Sequence, residues 1–357
     1  MTDTEIITQR LYNQHISVPK FNTPQEVVTS MLAMQAQEYA MARWSIGLRL
    51  INAKDSDVEK AFNEGAILRT HVMRPTWHFV SPADIRWLLA LTAPRVHAFN
   101  AYQYRKYGLD SHVFTKCNDI IIRQLEGRKH LTRTALNVAL QQQGIITDTI
   151  GLSCIMMQAE LDGIICSGPR EGKQFTYALI DERVPHASPL SKEEALSEMA
   201  HRYFTSRGPA TIQDFVWWSG LTMKEARVGV SNLAPYFIHK KVEGQEYIYA
   251  PINPEAVNHP NHSLLLPYYD EYGIAYKNRD ALFLPKEKIV QNMGETFPFS
   301  RVIVLDGKIV GSWQCTIRNK SIEVEIAPYY EFSEHENSII NAAVQRFKNF
   351  IGDSDED

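Results

Sequence analysis

At 357 residues, with 44% hydrophobic and 22% charged residues, the chain is long enough for two or three domains of ~150 residues and too apolar for extended disorder. Its 37 basic and 41 acidic residues leave a net charge of −4, which argues weakly against a nucleic-acid partner, although the charge is unevenly spread. No apolar run approaches the ~18 residues of a membrane span, and no Cys-x-x-Cys occurs among Cys117, Cys154, Cys166 and Cys315, so a membrane protein, a disulfide framework and a zinc ribbon are all disfavoured.

The opening MTDTEIITQR lacks the basic-then-apolar order of a secretory signal, and a cytoplasmic protein is expected. Thr23, Pro24 and Glu26 together predict a capped helix start. In that helix Val28, Met31 and Leu32 form the apolar stripe, and Met34-Gln35-Ala36-Gln37 falls at its end. Gln35 sits four residues after Met31, on the buried side. Gln37 lies about 200° from Gln35 on a regular helix, so the two carboxamides converge only if the helix loosens or ends between them. Otherwise Gln35 bonds a backbone group in the core and Gln37 is exposed. Glu38 reads either as a base or as a solvated helix-end carboxylate. Ser56 with Glu59 predicts a further helix that Gly65 ends, and Ile67–Val72 with Thr76–Val80 predicts a hairpin. Arg69, His71, Arg74 and His78 lie on that hairpin, either as phosphate contacts or as an exposed basic surface.

Residues 69–133 hold 11 basic residues against Asp84, Asp110, Asp119 and Glu126, a local excess able to attract a phosphate backbone or simply to solvate helix faces. Thr132 and Asp148 predict the starts of two helices, ended near Gly144 and Gly163. Two apolar runs then flank the turn GPREGK, with Arg170 and Lys173 at its tip, where they read as phosphate contacts. Helix, turn, helix, hairpin is the winged-helix plan. It returns after the capping pairs Ser191–Glu194, Thr211–Asp214 and Thr222–Glu225, where Phe237–Val242 faces Tyr247–Ala250 across Glu243-Gly244. From about residue 262 the chain turns β-rich, with Asp306-Gly307 a hairpin signal, and an amphipathic helix from Ser333 to Phe350 closes it. This end reads as a small sheet or barrel. Trp217-Trp218 are expected in the third repeat's core.

His259 and His262, three apart in a Pro/Asn loop, and His71 with His78 offer no third ligand, so no metal site is expected. Nor is there a phosphate-binding Gly loop, a nucleophile elbow or a His-Glu-x-x-His.

Five segments, MLAMQAQEYAMARWSIGLR (31–49), LRTHVMRPTWHFVSPADIRWLL (68–89), RGPATIQDFVWWSGL (207–221), LLLPYYDEYGIAYKNRD (264–280) and DGKIVGSW (306–313), make the chain resemble the AlkZ-like bacterial DNA glycosylases over nearly its whole length. The resemblance implies an α+β fold of three tandem winged-helix units with a C-terminal β-barrel-like domain around a DNA-binding channel. It also implies a catalytic Gln-x-Gln, which lands on Gln35 and Gln37. The expected divisions are a first winged helix at 1–92, a helical connector at 93–130, a second winged helix at 131–186, a third at 187–258, a β-rich domain at 259–350 and an acidic tail at 351–357, expected to be disordered. Asp270 and Glu271, with Tyr276 and Arg279, are expected to supply an Asp–Arg pair tying the barrel to the repeats.

Chemically, two amides cannot act as general bases but can fix and orient a water, which helps only where the leaving group is already good. A purine alkylated at N-7 is cationic and departs neutral. The expected activity is therefore hydrolysis of N-glycosidic bonds of N-7-alkylated purines in damaged double-stranded DNA, with interstrand cross-links among the substrates the resemblance suggests. No cofactor is expected and no obligate protein partner is evident. A non-catalytic winged-helix DNA-binding protein or transcription regulator is the alternative, since a fold does not fix a function.

Overall fold

The structure is a computed structural model that describes residues 1–252, 262–285, 300–318 and 321–352. Most helices begin where a side chain can satisfy the orphan amides of a first turn. Thr23 and Glu26 exchange bonds at the head of Pro24–Met31, as do Thr222 and Glu225 before Met223–Ser231, and Ser333 and Glu336 before Glu334–Ile351. Thr211 and Asp214 do the same before Ile212–Ser219, and Ser191 and Glu194 before Lys192–Arg207. Each such cap contributes about 1 kcal/mol. The expected Ser56–Glu59 box is not what starts its helix. That helix is Asp55–Glu64, with Ser56 inside its first turn. The Glu59 carboxylate is engaged instead by the Tyr39 hydroxyl and the Arg43 guanidinium.

The chain forms two compact units. The first comprises Met1–Glu59, Ser197–Trp218 and Thr222–Asp357. It contains the helices Asp3–Asn13, Pro24–Met31 and Tyr39–Gly47, the short strand Ala33–Gln35, and the hairpin Ile238–Val242/Gln245–Tyr249. Its C-terminal part is an antiparallel sheet in the order Ser321–Pro328, Lys308–Arg318, Val302–Leu305, Ser263–Leu266. Among the described residues this sheet is open. The expected barrel-like closure is absent there, because Ser321–Pro328 and Ser263–Leu266 end the order without pairing to each other. The helix Glu334–Ile351 packs on it, with Phe347 edge-on to both Trp44 and Trp313. The two indole N–H groups donate to the Leu265 and Leu266 carbonyls at 2.7 and 2.9 Å. Buried indoles need such partners; here they hold the strand that leads into Asp270 and Glu271.

The second unit comprises Lys60–Leu196 with Ser219–Leu221. It contains the hairpin Leu68–His71/Trp77–Val80 and the helices Ile85–Lys106, Ser111–Leu125, Arg133–Gln142 and Thr149–Leu161. Its other sheet places Thr176–Leu179 between Leu131–Thr132 and Ile165–Ser167. Thr132 and Asp148 cap their helices as expected. The core is Phe114, Ile121, Leu125, Leu136, Leu140, Ile155 and their neighbours. The helix Ile85–Lys106 runs through the division expected at residues 92 and 93. Its helix-forming run Leu88, Leu89, Ala90, Leu91 carries it past Pro94, which removes one backbone donor.

The tight turn at Asp306-Gly307 joins Leu305 to Lys308, both turn residues having positive φ, 47° and 80°. A methyl group at Gly307 would meet the Ile7 Cγ2 atom at 1.8 Å, and the Gly307 carbonyl accepts the Tyr272 hydroxyl at 2.9 Å. Gly307→Ala combines left-handed strain with overpacking against a buried isoleucine, so it is expected to lower the unfolding free energy by ~2–4 kcal/mol, read from the midpoint of urea denaturation.

Candidate active site

Helix Pro24–Met31 stops abruptly. Leu32 takes φ 62° and ψ −55°, a conformation unfavourable for a side-chain-bearing residue, and the chain then extends through Ala33–Gln35. The sequence expectation had continued the helix to Gln35. Leucine has high helix propensity, and nothing local marks the end. What stabilises the break comes from far along the chain. The Arg207 guanidinium donates to the Met31 and Ala33 carbonyls, both at 2.9 Å. The Glu271 carboxylate accepts the Gln35 backbone N–H at 3.0 Å. Arg207 and Glu271 also pair with each other, Nη2 to Oε2 at 2.6 Å, and both are buried. The Trp218 indole donates to the same carboxylate at 2.9 Å, and its ring lies 4.4 Å from the Arg207 guanidinium carbon.

This clamp decides how the glutamines are presented. With the backbone extended, side chains alternate. The strand ends at Gln35; Ala36 is buried, Gln35 is half-buried and Gln37 is exposed, so both glutamines keep accessible surface while the alanine between them has none. Glu38, also exposed, precedes helix Tyr39–Gly47 without capping it.

A second buried pair supports the first. Asp270 receives a two-pronged bond from Arg49, at 2.9 and 3.1 Å, together with the Ser45 hydroxyl and the Tyr272 amide. Burial alone would raise the Asp270 pKa, but the Arg49 charge and these hydrogen bonds hold it below the ordinary value of 3.8. Arg49 also donates to the Gln14 amide oxygen, Gln14 donates to the Tyr276 hydroxyl, and Tyr276 donates to the Arg207 carbonyl. Burial pushes the Tyr276 hydroxyl up to about 12, so it stays protonated as that donor. The expected Asp–Arg pair is thus formed with Arg49 and not with Arg279. Arg279 donates to the Gly273 carbonyl and lies 5.2 Å from the Trp217 ring.

Residues 28–350 match the DNA glycosylase AlkZ-like family. The chain belongs to that family. It is 22% identical over 323 residues to the interstrand DNA cross-link repair glycosylase of Streptomyces sahachiroi, covering 87% of each chain. It also superposes on the solved structure of the Streptomyces sahachiroi DNA glycosylase AlkZ with a TM-score of 0.78 and 20% identity, covering 98% of this chain and 96% of that one. The AlkZ fold is therefore shared across nearly the whole length.

In this AlkZ-like chain the first hairpin does not present the cations expected of it. Arg69, His71 and His78 are buried. His71 Nδ1 bonds the Glu160 carboxylate, which also accepts its backbone N–H. Arg69 is sandwiched between the Trp77 and Phe175 rings, at 4.3 and 4.7 Å. The aromatic faces and the carboxylate draw these side chains inward. Arg74 is half-buried; Arg170 is half-buried over Phe175, and Lys173 is exposed. Trp218 is fully buried as expected, but Trp217 is exposed, its indole donating to the Ile274 carbonyl. His262 bonds the Ile16 carbonyl; His259 and residues 353–357 of the tail lie outside the described residues. Among the described residues no group of His, Cys, Asp and Glu is arranged to hold a metal ion, and no helix is long and apolar enough to cross a membrane. Burial pushes the Cys117 and Cys166 thiols up to about 11 and about 12, which leaves neither a nucleophile at neutral pH.

Two outcomes follow. Glu271→Leu strands a buried guanidinium and should lower stability by ~3–5 kcal/mol. Adding Arg207→Met removes that charge but takes away the donor that the Met31 and Ala33 carbonyls share. The double variant should therefore recover only part of the loss in urea titrations. Because the folded Asp270 has a lowered pKa, its contribution is fully present above about 3.8 and is lost as pH falls through the lower folded value. Stability measured from pH 5 downward should fall less steeply in Asp270→Asn than in the wild type.

Proposed function

We propose that this AlkZ-like protein is a monofunctional DNA glycosylase that hydrolyses the N-glycosidic bond of N-7-alkylated purines in duplex DNA, including those joined as interstrand cross-links. The cross-link part is supported by its Streptomyces relative, an interstrand DNA cross-link repair glycosylase. The three helix-and-hairpin segments are read as tandem winged helices spanning 1–92, 131–186 and 187–258, followed by the β-rich C-terminal domain. The observation that carries the chemical reading is the pair of accessible glutamines Gln35 and Gln37 at the end of a short strand, whose Ala33 carbonyl and Gln35 amide are held by a buried guanidinium and carboxylate.

In this reading the cationic purine leaves first, taking the electron pair of the glycosidic bond and departing neutral. The sugar carbon gains oxocarbenium character. Gln35 and Gln37 hold one water against that carbon, each amide oxygen accepting a water proton and so aiming a lone pair. The water oxygen bonds to the carbon, and the released proton passes to solvent. No strong base is required because the electrophile is already positively charged. Normal, neutral bases lack that assistance and are poor substrates. No lysine adjoins the pair in sequence, so a Schiff-base strand-cleaving step is not part of the proposal. Arg74, Arg170 and Lys173 are proposed to contact phosphates, which position the protein without specifying sequence.

The test is a duplex carrying N-7-methylguanine. The wild type should release the base and leave an abasic site. Gln35→Ala and Gln37→Ala should each slow release roughly 10²-fold while remaining folded, since neither carboxamide is fully buried. Equal rates in all three proteins would overturn the glutamine mechanism. Tight duplex binding with no base release by the wild type would return the protein to the class of non-catalytic DNA binders.

A further inference from the structure

The helix Ile85–Lys106 has two contrasting sides. One packs inward through Val96, Asn100 and Tyr104. Tyr104 stacks edge-on to Phe114, and Asn100 reaches the Met157 sulfur. The opposite side carries Arg95, Phe99, Tyr102 and Lys106. Spaced four, three and four residues apart, they fall within about 60° of one another around the helix. Phe99 is 75% exposed and Tyr102 66% exposed, two large aromatic side chains side by side on the surface. Arg95, Arg105 and Lys106 are exposed as well, and no ion pair among the described residues engages Arg95. The whole helix contains no acidic residue, so the only formal charges on the stripe, Arg95 and Lys106, are positive.

From these features we infer that this stripe is a second DNA-contacting surface of the protein. Arg95 and Lys106 meet phosphates, and Phe99 and Tyr102 pack against the intervening deoxyriboses of one strand of a duplex. The span from Arg95 to Lys106 is about 16 Å, which corresponds to roughly five 3.4 Å rises measured along the axis of a duplex. Charge complementarity selects the occupant. A stripe of aromatic rings bracketed by cations, with no carboxylate on its helix, suits a polyanion that also offers apolar faces between its charges. The inference rests on the DNA-directed part of the proposed function and is independent of the glutamine chemistry.

The experiment compares wild type, Arg95→Gln/Lys106→Gln and Phe99→Ser/Tyr102→Ser in fluorescence-anisotropy titrations of an undamaged 30-base-pair duplex at several salt concentrations. All four positions are exposed, and circular dichroism verifies the fold of each variant. The cation variant should bind more weakly, with the slope of log affinity against log salt reduced by about 1.8, the value for two lost phosphate contacts. The aromatic variant should bind roughly tenfold more weakly at an unchanged slope. Wild-type affinity and slope in both variants would overturn the surface. So would a wild-type dimer, seen by analytical ultracentrifugation, that the aromatic variant alone abolishes, since the stripe would then serve a second copy of the chain. Duplex binding that follows the expected pattern without any release of N-7-methylguanine would sink the glycosylase chemistry and leave the surface standing. Base release with unaltered binding by both variants would do the reverse.

Discussion

A guanidinium and a carboxylate sealed from water, Arg207 and Glu271, fix the geometry on which the candidate site depends. Taking such charges out of solvent is unfavourable unless every lone pair and proton finds a partner. Here the pair meets that demand by recruiting backbone: the carbonyls of Met31 and Ala33 on one side and the amide of Gln35 on the other. The same bonds that satisfy the buried charges engage the backbone where the helix ends and the strand that carries Gln35 begins. Stability and presentation of the glutamines are thus one interaction seen from two sides. The Asp270–Arg49 pair next to it repeats the device on neighbouring backbone, so two consecutive carboxylates each anchor a different arginine.

What the sequence made legible was local. Capping pairs such as Thr23–Glu26 and Thr222–Glu225 announce helix starts because their partners are three residues apart, and the structure forms them. The Asp306-Gly307 turn was readable for the same reason. The end of the Thr23 helix was not, because no glycine or proline marks it. Its cause lies at residues 207 and 271, separated from Gln35 by more of the chain than any periodicity spans. Arg207 and Glu271 do stand inside two of the segments that resemble the family, and that was the available signal; which arginine met which acid was not readable from spacing.

The first hairpin shows the opposite failure. Arg69, His71 and His78 read as an exposed basic surface because alternation along a strand cannot reveal that aromatic rings and Glu160 receive Arg69 and His71. Cations in a basic stretch divide into those neutralised internally and those left to face solvent. In residues 69–133 the hairpin supplies the first kind, and the helix Ile85–Lys106 supplies much of the second.

The supports of the glutamine segment are spread along most of the chain, and this bears on biosynthesis. When a ribosome has released only the N-terminal two hundred residues, both glutamines already exist, yet neither Arg207, Trp218 nor Glu271 has been made. The Met31 and Ala33 carbonyls and the Gln35 amide of such a nascent fragment then lack the buried partners that the finished chain gives them. Any frameshift or proteolytic loss upstream of residue 271 would remove the carboxylate that accepts the Gln35 amide, so the proposed glutamine site is assembled only when synthesis has passed that point.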